Sequence, residues 1–337
     1  MQKFLIIQTA FIGDVVLATS LIEKLHFHIP HAQIDFLVRK GNEPLLAGHP
    51  FLHEVLIWNK QEHKLRNLWK IIRRVRKRKY NKVINVQRFA ATGILTAFSG
   101  AKETIGFDKN PFSFLFTKKV KHIIRGEYNA RHEIERNTEL VRHFTDALVV
   151  KPRLYPSAND EAKVMTYKTN EFITISPASV WFTKQYPKEK WTEFINTVPR
   201  HYTVYLLGSA ADIALCDEIR NRADHLSVVN LSGQLSFLES AALMKDALMN
   251  YVNDSAPMHF ASAVNAPVTA VYCSTLPSFG FGPLSDRSSI IEIEEILLCR
   301  PCGLHGRRAC PLGHFNCANK IRVEQLIAAL PLDSISV

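Results

Sequence analysis

No apolar stretch of this 337-residue chain reaches the roughly 18 consecutive residues that a transmembrane helix needs. The first residues have the pattern of a strand and lack both the charged start and the small-residue cleavage site of a signal peptide. We therefore expect a cytoplasmic protein. In that compartment the six cysteines are more often thiols or metal ligands than disulfides.

Glycine-rich phosphate loops are also missing. The nicotinamide-binding fingerprint needs several glycines after the first strand, so that the backbone can approach a pyrophosphate. The corresponding turn here, QTAFIGD at 8–14, contains a single glycine, Gly13. No segment matches a P-loop either, so neither of these nucleotide-binding motifs describes the chain.

Acidic residues are fewer than basic ones: the chain has 31 Asp and Glu and 42 Lys and Arg, which gives a formal net charge of +11. This excess predicts an acidic partner such as nucleic acid, anionic lipid or a phosphorylated substrate. Much of it lies in KLRNLWKIIRRVRKRKYNK at 64–82, which predicts an amphipathic helix with a basic face. Its apolar positions at helical spacing are Leu65, Leu68, Ile71, Ile72 and Val75. The basic face is either a solvated surface or a docking surface for an anionic partner.

Strand-like runs alternate with helical patterns over most of the chain, which predicts parallel sheets with crossover helices. The predicted strands are 4–7, 33–38, 54–57, 82–86, 103–106, 172–176, 203–207, 227–230, 247–253, 268–272 and 289–293. The pattern restarts near 171, so we place the domain boundary between 155 and 171. The expected fold class is α/β, with two Rossmann-like, doubly wound domains at 1–160 and 171–337 that face each other across a cleft.

Asp14 interrupts an apolar stretch, FLIIQTAFIGDVVLATSLI at 4–22, where a carboxylate is costly to bury unless something satisfies it. The pattern predicts a strand, a turn and then a helix that begins near Asp14. Open α/β sheets bind ligands outside the carboxyl ends of their strands, which is where this residue is expected. Asp14 is therefore a helix cap, a functional carboxylate, or both.

The segment YVNDSAPMHFASAVNAPVTAVY at 251–272 predicts a strand, a turn, a helix and a further strand. Asn253, Asp254 and Ser255 fall at the helix start, and all three residue types are good N-caps. The N–H groups and positive dipole end of such a helix suit a diphosphate. His259 lies on the next turn and is expected to face the same ligand.

The segment ISPASVWFTKQYPKEKWTEF at 175–194 follows the first strand of the second half. It places Ser176, Ser179, Thr183 and Lys184 in a loop before a helix, and hydroxyls together with a lysine suit a phosphate. A single loop lysine is usually only a surface residue. Here the segment that contains the lysine is one of three candidate segments that follow the carboxyl ends of predicted strands. This shared position favours a functional role for the lysine.

In order and spacing, these motifs resemble those of the ADP-heptose:lipopolysaccharide heptosyltransferases, which are inverting glycosyltransferases with the GT-B fold. The resemblance rests on GDVVLATSLI, SPASVWFTKQYPKEKW and NDSAPMHFASAVNAPVTAVY, and continues in NVQRFAATGILTAFSGAKETIGFD and GFGPLSD. It covers nearly the whole chain. The late segment CRPCGLHGRRACPLGHFNC resembles the branch that adds the second heptose.

The resemblance implies transfer of L-glycero-D-manno-heptose from ADP-heptose to the lipopolysaccharide inner core, onto heptosyl-Kdo2-lipid A, with inversion. It implies that Asp14 is the general base and that Lys184 neutralises the diphosphate. The implied donor-binding residues are Ser176, Thr183, Lys184, Asp254, Ser255 and His259.

The acceptor that the resemblance implies is an acidic lipid of the inner leaflet. Arg88 and Lys109 are the candidate acceptor-binding residues, and the basic segment at 64–82 is expected to face the membrane or the acceptor phosphates. The protein is thus expected to lie at the cytoplasmic face of the inner membrane as a peripheral protein.

An Asp-x-Asp pair, which holds a divalent metal in many sugar transferases, is absent from the sequence. Lys184 and the predicted helix start near Asp254 can stabilise the leaving diphosphate instead, so we predict no metal and no cofactor. Ala256 stands where the family usually has glycine, and its methyl group can crowd a backbone that approaches a ligand closely. A GT-B transferase that uses another nucleotide sugar is therefore an alternative.

Four cysteines and a histidine have the spacing Cys-x2-Cys-x7-Cys-x3-His-x2-Cys, at Cys299, Cys302, Cys310, His314 and Cys317. The first pair has a zinc-knuckle interval, and the later intervals do not fit a standard zinc pattern. The segment is either a packed loop that carries thiols or a structural metal site.

A nucleic-acid-binding protein is the rival from another functional class, since it would use the basic segment and the cysteines. No aromatic stacking motif or recognition-helix module supports it. It also leaves the candidate ligand segments without a role, so we expect no nucleic-acid partner.

Overall fold

Strands and helices alternate along both halves of the chain in the computed structural model, which describes residues 1–124 and 131–330. The chain divides into two units, Met1–Tyr155 and Pro156–Val337. Each unit is built on one six-stranded sheet in which neighbouring strands pair in parallel.

The first unit contains strands and helices that alternate in the βαβ manner. Its strands are β1 (Lys3–Ile7), β2 (Gln33–Arg39), β3 (Glu54–Trp58), β4 (Lys82–Asn85), β5 (Glu103–Phe107) and β6 (Lys118–Val120). Its helices are α1 (Ile12–His28), α2 (Lys64–Lys77), α3 (Ala90–Ala97) and α4 (Glu133–Val141). The strand order is β3-β2-β1-β4-β5-β6.

The second unit repeats this arrangement. Its strands are β7 (Phe172–Ser176), β8 (Thr203–Leu206), β9 (Val228–Asn230), β10 (Met249–Asn253), β11 (Val268–Tyr272) and β12 (Ser288–Glu292). Its helices are α5 (Ala158–Val164), α6 (Lys188–Thr197), α7 (Ile213–Arg222), α8 (Phe237–Lys245), α9 (Ala256–Ala263), α10 (Asn316–Asn319) and α11 (Val323–Ile327). The strand order, β9-β8-β7-β10-β11-β12, matches that of the first unit position by position.

Both sheets have the doubly wound order, so each has one point where the direction of winding reverses. In the first unit this point lies between β1 and β4, and in the second it lies between β7 and β10. Such switch points leave a crevice at the carboxyl ends of the two central strands. The prediction of an α/β fold with two doubly wound domains is confirmed.

The central strands of the second unit lie in its core, and they include the buried polar residues Thr174 and Asn250. Every residue of β7 and β10 is buried, as expected for a parallel sheet whose two faces are both covered. Trp191 and Phe194 of α6 pack with Tyr251 of β10 in the core of the second unit. The predicted strands all form, with small shifts at their ends. The sequence analysis missed β6, because it is a short edge strand with two exposed lysines.

The basic segment forms α2, and Leu68, Ile71, Ile72 and Val75 are buried against the first sheet. Leu65 is an exception to the predicted apolar face, because 74% of it is exposed. It lies in the first turn of the helix, before the helix reaches the core. Within the described ranges, the structure contains no helix that is long and apolar enough to span a bilayer.

Candidate active site

The switch point of the second unit brings two of the predicted segments together. Val252 of β10 is in register with Ser176, the last residue of β7, so the residues that follow these strands emerge side by side. Asn253 ties the two loops to each other. Its Oδ1 accepts a hydrogen bond from the Tyr186 backbone N–H at 2.9 Å, and its Nδ2 donates to the Pro177 carbonyl at 2.8 Å.

Lys184 and Asp254 form an ion pair at this point, with 2.7 Å between Nζ and Oδ2. Lys184 ends the short 3₁₀ turn Phe182–Lys184, and Asp254 directly follows β10. The side chains are 14% and 9% exposed, so the pair is largely shielded from water but keeps a small exposed surface. The Thr275 hydroxyl also donates to Asp254 Oδ2, at 2.6 Å. Asp254 thus fixes the position of the lysine ammonium.

Thr183 is fully buried and joined to two other segments. Its Oγ1 accepts hydrogen bonds from Ser274 Oγ at 2.9 Å and from the Arg307 backbone N–H at 2.7 Å. Its own N–H donates to the Arg307 carbonyl at 3.1 Å. The predicted contact between Thr183 and the donor stays a prediction, and the observed contacts hold the turn that carries Lys184.

The start of α9 lies next to the ion pair. Ser255 occupies the N-cap position, but its side chain makes no capping hydrogen bond and instead donates to the Asn253 carbonyl at 3.3 Å. His259 is buried on the first turn of α9. The Ser176 hydroxyl is also buried, and it has no hydrogen-bond partner among the described residues. A polar atom in that state is costly unless a ligand or water satisfies it.

Ala256 is the first residue of α9, and its φ is not among the positive values of the described residues. Its backbone is therefore accessible to any L-amino acid. The methyl group that replaces the family's usual glycine thus requires no backbone strain at this helix start.

In the first unit, Asp14 lies at the third position of α1, beyond the carboxyl end of β1. Its Oδ2 accepts a hydrogen bond from the Phe11 backbone N–H at 3.2 Å. Phe11, and not Asp14, is the N-cap residue, so the carboxylate satisfies a backbone donor of the helix start from inside the helix. The side chain is only partly buried.

Lys60 is a candidate that the sequence analysis missed. It follows β3, and its Nζ donates to the Thr9 hydroxyl, which in turn bonds Gln87 beyond β4. Burial, together with the charge of Arg39, lowers the pKa of Lys60 to about 8. No motif marked this lysine, although it ends the strand-like run EVLIWNK at the same edge as Asp14.

Arg88 and Lys109 are both exposed and follow neighbouring strands, β4 and β5. Burial lowers the pKa of His122 to about 4, and the nearby Arg88 guanidinium contributes to that shift. His122 is therefore neutral near pH 7 and adds no charge beside Arg88. The two predicted acceptor residues present cations at the carboxyl edge of the first sheet.

Asp35, His53 and Glu54 bring three potential metal ligands within 4.8 Å of one another. Asp35 already accepts from Tyr80 and lies 2.9 Å from His53 Nδ1. Arg78 forms ion pairs with both carboxylates. Since cations and donors satisfy these acids, we interpret the set as an ion-pair network that joins β2, β3 and the end of α2.

Comparisons with known proteins agree with this architecture. The chain is 27% identical over 283 residues to lipopolysaccharide heptosyltransferase 3 of Escherichia coli, covering 79% of this chain and 82% of that protein. It is 25% identical over 318 residues to lipooligosaccharide heptosyltransferase 2 of Haemophilus influenzae, covering 87% of this chain and 89% of the relative.

Among solved structures, the E. coli ADP-heptose lipopolysaccharide heptosyltransferase II superposes with a TM-score of 0.78 at 21% identity, covering 98% of each chain. At that identity the likeness concerns the fold, and it confirms the predicted GT-B class. The family model described as glycosyltransferase family 9 (heptosyltransferase) matches residues 68–308, which confirms the family predicted from the motifs, and the chain therefore belongs to glycosyltransferase family 9.

Proposed function

We propose that this glycosyltransferase transfers L-glycero-D-manno-heptose from ADP-heptose to the lipopolysaccharide inner core, with inversion at the anomeric carbon. The second unit binds the nucleotide sugar, and the first unit binds the acceptor. The ion pair of Lys184 and Asp254 at the switch point of the second sheet is the observation that carries the proposal.

Departure of ADP builds negative charge on its β-phosphate, and a fixed cation in a partly dry site stabilises that charge more than water does. Lys184 is such a cation, held in place by Asp254. The start of α9 adds the positive end of a helix dipole next to it. The buried Ser176 hydroxyl supplies a further donor.

Asp254 carries a negative charge, so direct contact with a phosphate is unfavourable for it. In the proposed complex, the Lys184 ammonium remains shared between Asp254 and the diphosphate. The carboxylate also accepts hydrogen bonds from heptose hydroxyls. His259 on α9 completes the donor contacts.

Inversion requires a single displacement, in which the acceptor hydroxyl attacks from the face opposite to ADP and loses its proton. We assign the proton acceptor to Asp14. A carboxylate at the third position of a helix is oriented by the helix start, and the Phe11 N–H holds one of its oxygens. General-base assistance of this kind is worth about 10²–10⁴-fold in rate.

The acceptor step that we propose is addition of the second heptose, onto heptosyl-Kdo2-lipid A. It rests on the resemblance of the cysteine segment at 299–317. Of the relatives described above, one is named heptosyltransferase 3 and another heptosyltransferase 2. They therefore support heptose transfer as the class of reaction, but they do not support a particular step. Arg88 and Lys109 are proposed to contact the anionic groups of this acceptor.

An acceptor panel tests the reaction and the step together. The enzyme is incubated with ADP-heptose and with Kdo2-lipid A, heptosyl-Kdo2-lipid A or the diheptosyl product, and release of ADP is followed. We expect release only with the singly heptosylated lipid. Release with a different lipid of the panel moves the proposal to another step, and no acceptor-dependent release with any of them contradicts it.

A donor panel addresses the alternative that Ala256 raises, which is a different nucleotide sugar. Thermal unfolding is compared in the presence of ADP-, UDP- and GDP-linked sugars. We expect the midpoint to rise with ADP-heptose and ADP alone, since the adenosine diphosphate supplies most of the binding contacts. A larger rise with a UDP- or GDP-sugar contradicts the donor assignment.

We also propose that α2 docks the enzyme on the anionic membrane in which the acceptor is embedded. The helix carries seven basic and no acidic residues, all on its exposed side. Trp69 on this side is 52% exposed and packs against Phe98, itself 45% exposed. A basic surface with aromatic side chains at its centre is typical of helices that lie on membranes.

A further inference from the structure

Two phenylalanines occupy equivalent positions at the switch point of the first sheet. Ile7, the last residue of β1, is in register with Asn85, the last residue of β4. Each strand is followed four residues later by a phenylalanine, Phe11 after β1 and Phe89 after β4. Both residues therefore follow the strand ends at which a doubly wound sheet leaves its ligand crevice.

Both phenylalanines stand where a helix usually begins with a small polar residue. Phe11 is the N-cap of α1 and Phe89 is the N-cap of α3, and neither side chain makes a capping hydrogen bond. Ser, Thr, Asp and Asn are the residue types preferred at this position, because their side chains satisfy the free N–H groups of the first turn. Two departures from that preference at one crevice point to a role other than capping.

The two rings are exposed, although hydrogen bonds fix the backbone that carries them. Phe11 is 54% exposed and Phe89 is 64% exposed. The Phe11 N–H donates to Asp14 Oδ2 at 3.2 Å. The Phe89 carbonyl accepts from Asn110 Nδ2 at 3.1 Å and from the Thr92 hydroxyl at 2.9 Å. An aromatic surface on a fixed backbone contacts a ligand at a small cost in conformational entropy.

Buried amide donors without partners lie between the two loops. The Lys60 ammonium donates to Thr9 Oγ1, so the Thr9 hydroxyl directs its own proton to Gln87 Oε1. This bond spans the switch point and leaves Gln87 Nε2 over. Gln87 is 4% exposed, and its Nε2 has no hydrogen-bond partner among the described residues; the same is true of Asn85 Nδ2. Buried donors in this state are costly unless a ligand or water accepts from them.

Cations lie along the same edge of the sheet. Arg39 ends β2, and its guanidinium carbon lies 5.6 Å from the centre of the Phe11 ring. Lys60 follows β3, and the exposed Arg88 directly precedes Phe89. A ligand at this crevice thus meets aromatic rings, amide donors and positive charge together.

These three features match a sugar ring that carries an anionic substituent. The C–H bonds of a sugar are polarised toward positive hydrogen, and they pack well on the negative face of an aromatic ring. The hydroxyl and ring oxygens accept hydrogen bonds from amides, and a carboxylate or phosphate pairs with arginine or lysine. A lipid acyl chain would leave the buried amide donors unsatisfied.

We propose that Phe11, Phe89 and Gln87 form the subsite that binds the terminal sugar of the acceptor, with the two rings as its apolar walls. The inference rests on the proposed function, because it takes the acceptor to be an acidic glycan. Phe11 also holds Asp14 through its backbone N–H, so the subsite adjoins the proposed base.

Steady-state kinetics with a lipid-free acceptor test this subsite. The probe is the deacylated glycan of the lipid that the wild type accepts, varied at saturating ADP-heptose. We expect Phe11→Ala and Phe89→Ala each to raise the KM for the glycan about three- to tenfold, the usual worth of one aromatic contact. The change in kcat should be much smaller, because the backbone N–H at position 11 still holds Asp14 in the variant.

Two further sets of variants separate aromatic stacking from other effects. Phe11→Trp and Phe89→Trp keep an aromatic face and should retain a KM near that of the wild type, whereas Phe11→Leu should resemble the alanine variant. Phe27→Ala is the matched control, since Phe27 is 69% exposed and lies in the last turn of the same helix, α1. We expect a wild-type KM in the control and similar unfolding midpoints throughout, because the rings lie outside the core.

The outcomes separate this inference from the proposed function. An unchanged KM in both alanine variants, or an equal rise in Phe27→Ala, overturns the subsite. A rise that occurs only with the acylated acceptor assigns the rings to the lipid chains and overturns the sugar assignment. A wild type that releases no ADP with any acceptor contradicts the proposed function and this inference with it, whereas normal release with unaffected variants overturns the subsite alone.

Discussion

Lys184 illustrates how a single residue obtains its chemistry from its neighbours. A lysine in a loop is ordinarily a solvated cation with many rotamers. Here Asp254 Oδ2 fixes the ammonium at 2.7 Å, and the Thr275 hydroxyl donates a hydrogen bond to the same oxygen. In the proposed function, the charge is thereby in place before the diphosphate binds, which is the condition under which a cation stabilises a leaving group most effectively.

We expect Lys184→Met to lower kcat about 10²–10³-fold, the usual cost of removing one group that stabilises developing charge. Steady-state kinetics with saturating acceptor measure this change. Lys188→Met is the matched control, because Lys188 lies four residues further along and pairs with Glu218 on α7. Equal losses in the two variants would show that the effect is not specific to the site.

Asp14→Asn should lower turnover about 10²–10⁴-fold, since the amide still accepts the hydrogen bond from Phe11 but cannot take a proton. We expect ADP binding and the unfolding midpoint to remain close to those of the wild type. Calorimetric titration and thermal unfolding check these two properties. Near-full turnover in this variant contradicts the assignment of the base.

Lys60 should be unusually reactive toward amine-directed reagents. Because burial lowers its pKa to about 8, roughly half of its side chains are neutral at pH 8, whereas an ordinary lysine remains protonated there. Mass spectrometry after brief labelling at pH 7, 8 and 9 gives the rate for each lysine. We expect the rate at Lys60 to level off above pH 8, and a rate that rises steadily through pH 9 contradicts the lowered pKa.

At the scale of elements, the strands were predictable because their signal is local. A fully buried parallel strand is a short, mainly apolar run between polar turns, as in β7 and β10. The edge strand β6 has the sequence KKV and carries no such signal. Lys60 and Thr275 escaped prediction for a different reason: their partners, Thr9 and Asp254, are brought to them by sheet pairing and not by sequence spacing.

The proposed membrane contact of α2 is also a property of an element, because seven cations on one helix act together. We expect Lys70→Glu/Arg73→Glu to reduce binding to vesicles that contain anionic lipid at least tenfold, at about 1 kcal/mol for each basic residue near the surface. Co-sedimentation with anionic and with zwitterionic vesicles measures this binding.

Lys118→Glu/Lys119→Glu is the control for that experiment, since it makes the same change of charge at two exposed positions of β6. We expect the control to bind anionic vesicles nearly as well as the wild type. Equal losses in both variants indicate a response to net charge alone and count against a docking surface on α2.

At the scale of the whole molecule, the same strand order occurs twice in a chain whose sequence shows no repeat. Each copy places candidate residues at its own switch point: Asp14 and Arg88 follow β1 and β4, whereas Lys184 and Asp254 follow β7 and β10. The doubly wound class and these positions could be predicted from the sequence. Once the parallel strands are recognised, the residues after their carboxyl ends are the ones expected near a ligand. The ion pair itself required the structure.

Hydrogen exchange of the intact chain should separate the roles of the two units. We expect ADP to slow exchange in the segments after β7 and β10, around Lys184 and Asp254, and to leave the segment after β1 nearly unchanged. Peptide-level mass spectrometry with and without ADP provides the comparison. Equal protection around Asp14 contradicts the assignment of the donor to the second unit.

The contact between Gly306 and Lys184 has a consequence for protein engineering. A side chain at 306 would collide with Lys184 and Thr183, and the left-handed backbone at φ +78° already disfavours one. The segments around 184 and 306 are more than a hundred positions apart in the sequence, yet each limits the substitutions that the other can accept during evolution. A chimera that takes either segment from a homologue therefore has to take the other as well, or the turn that carries Lys184 is displaced.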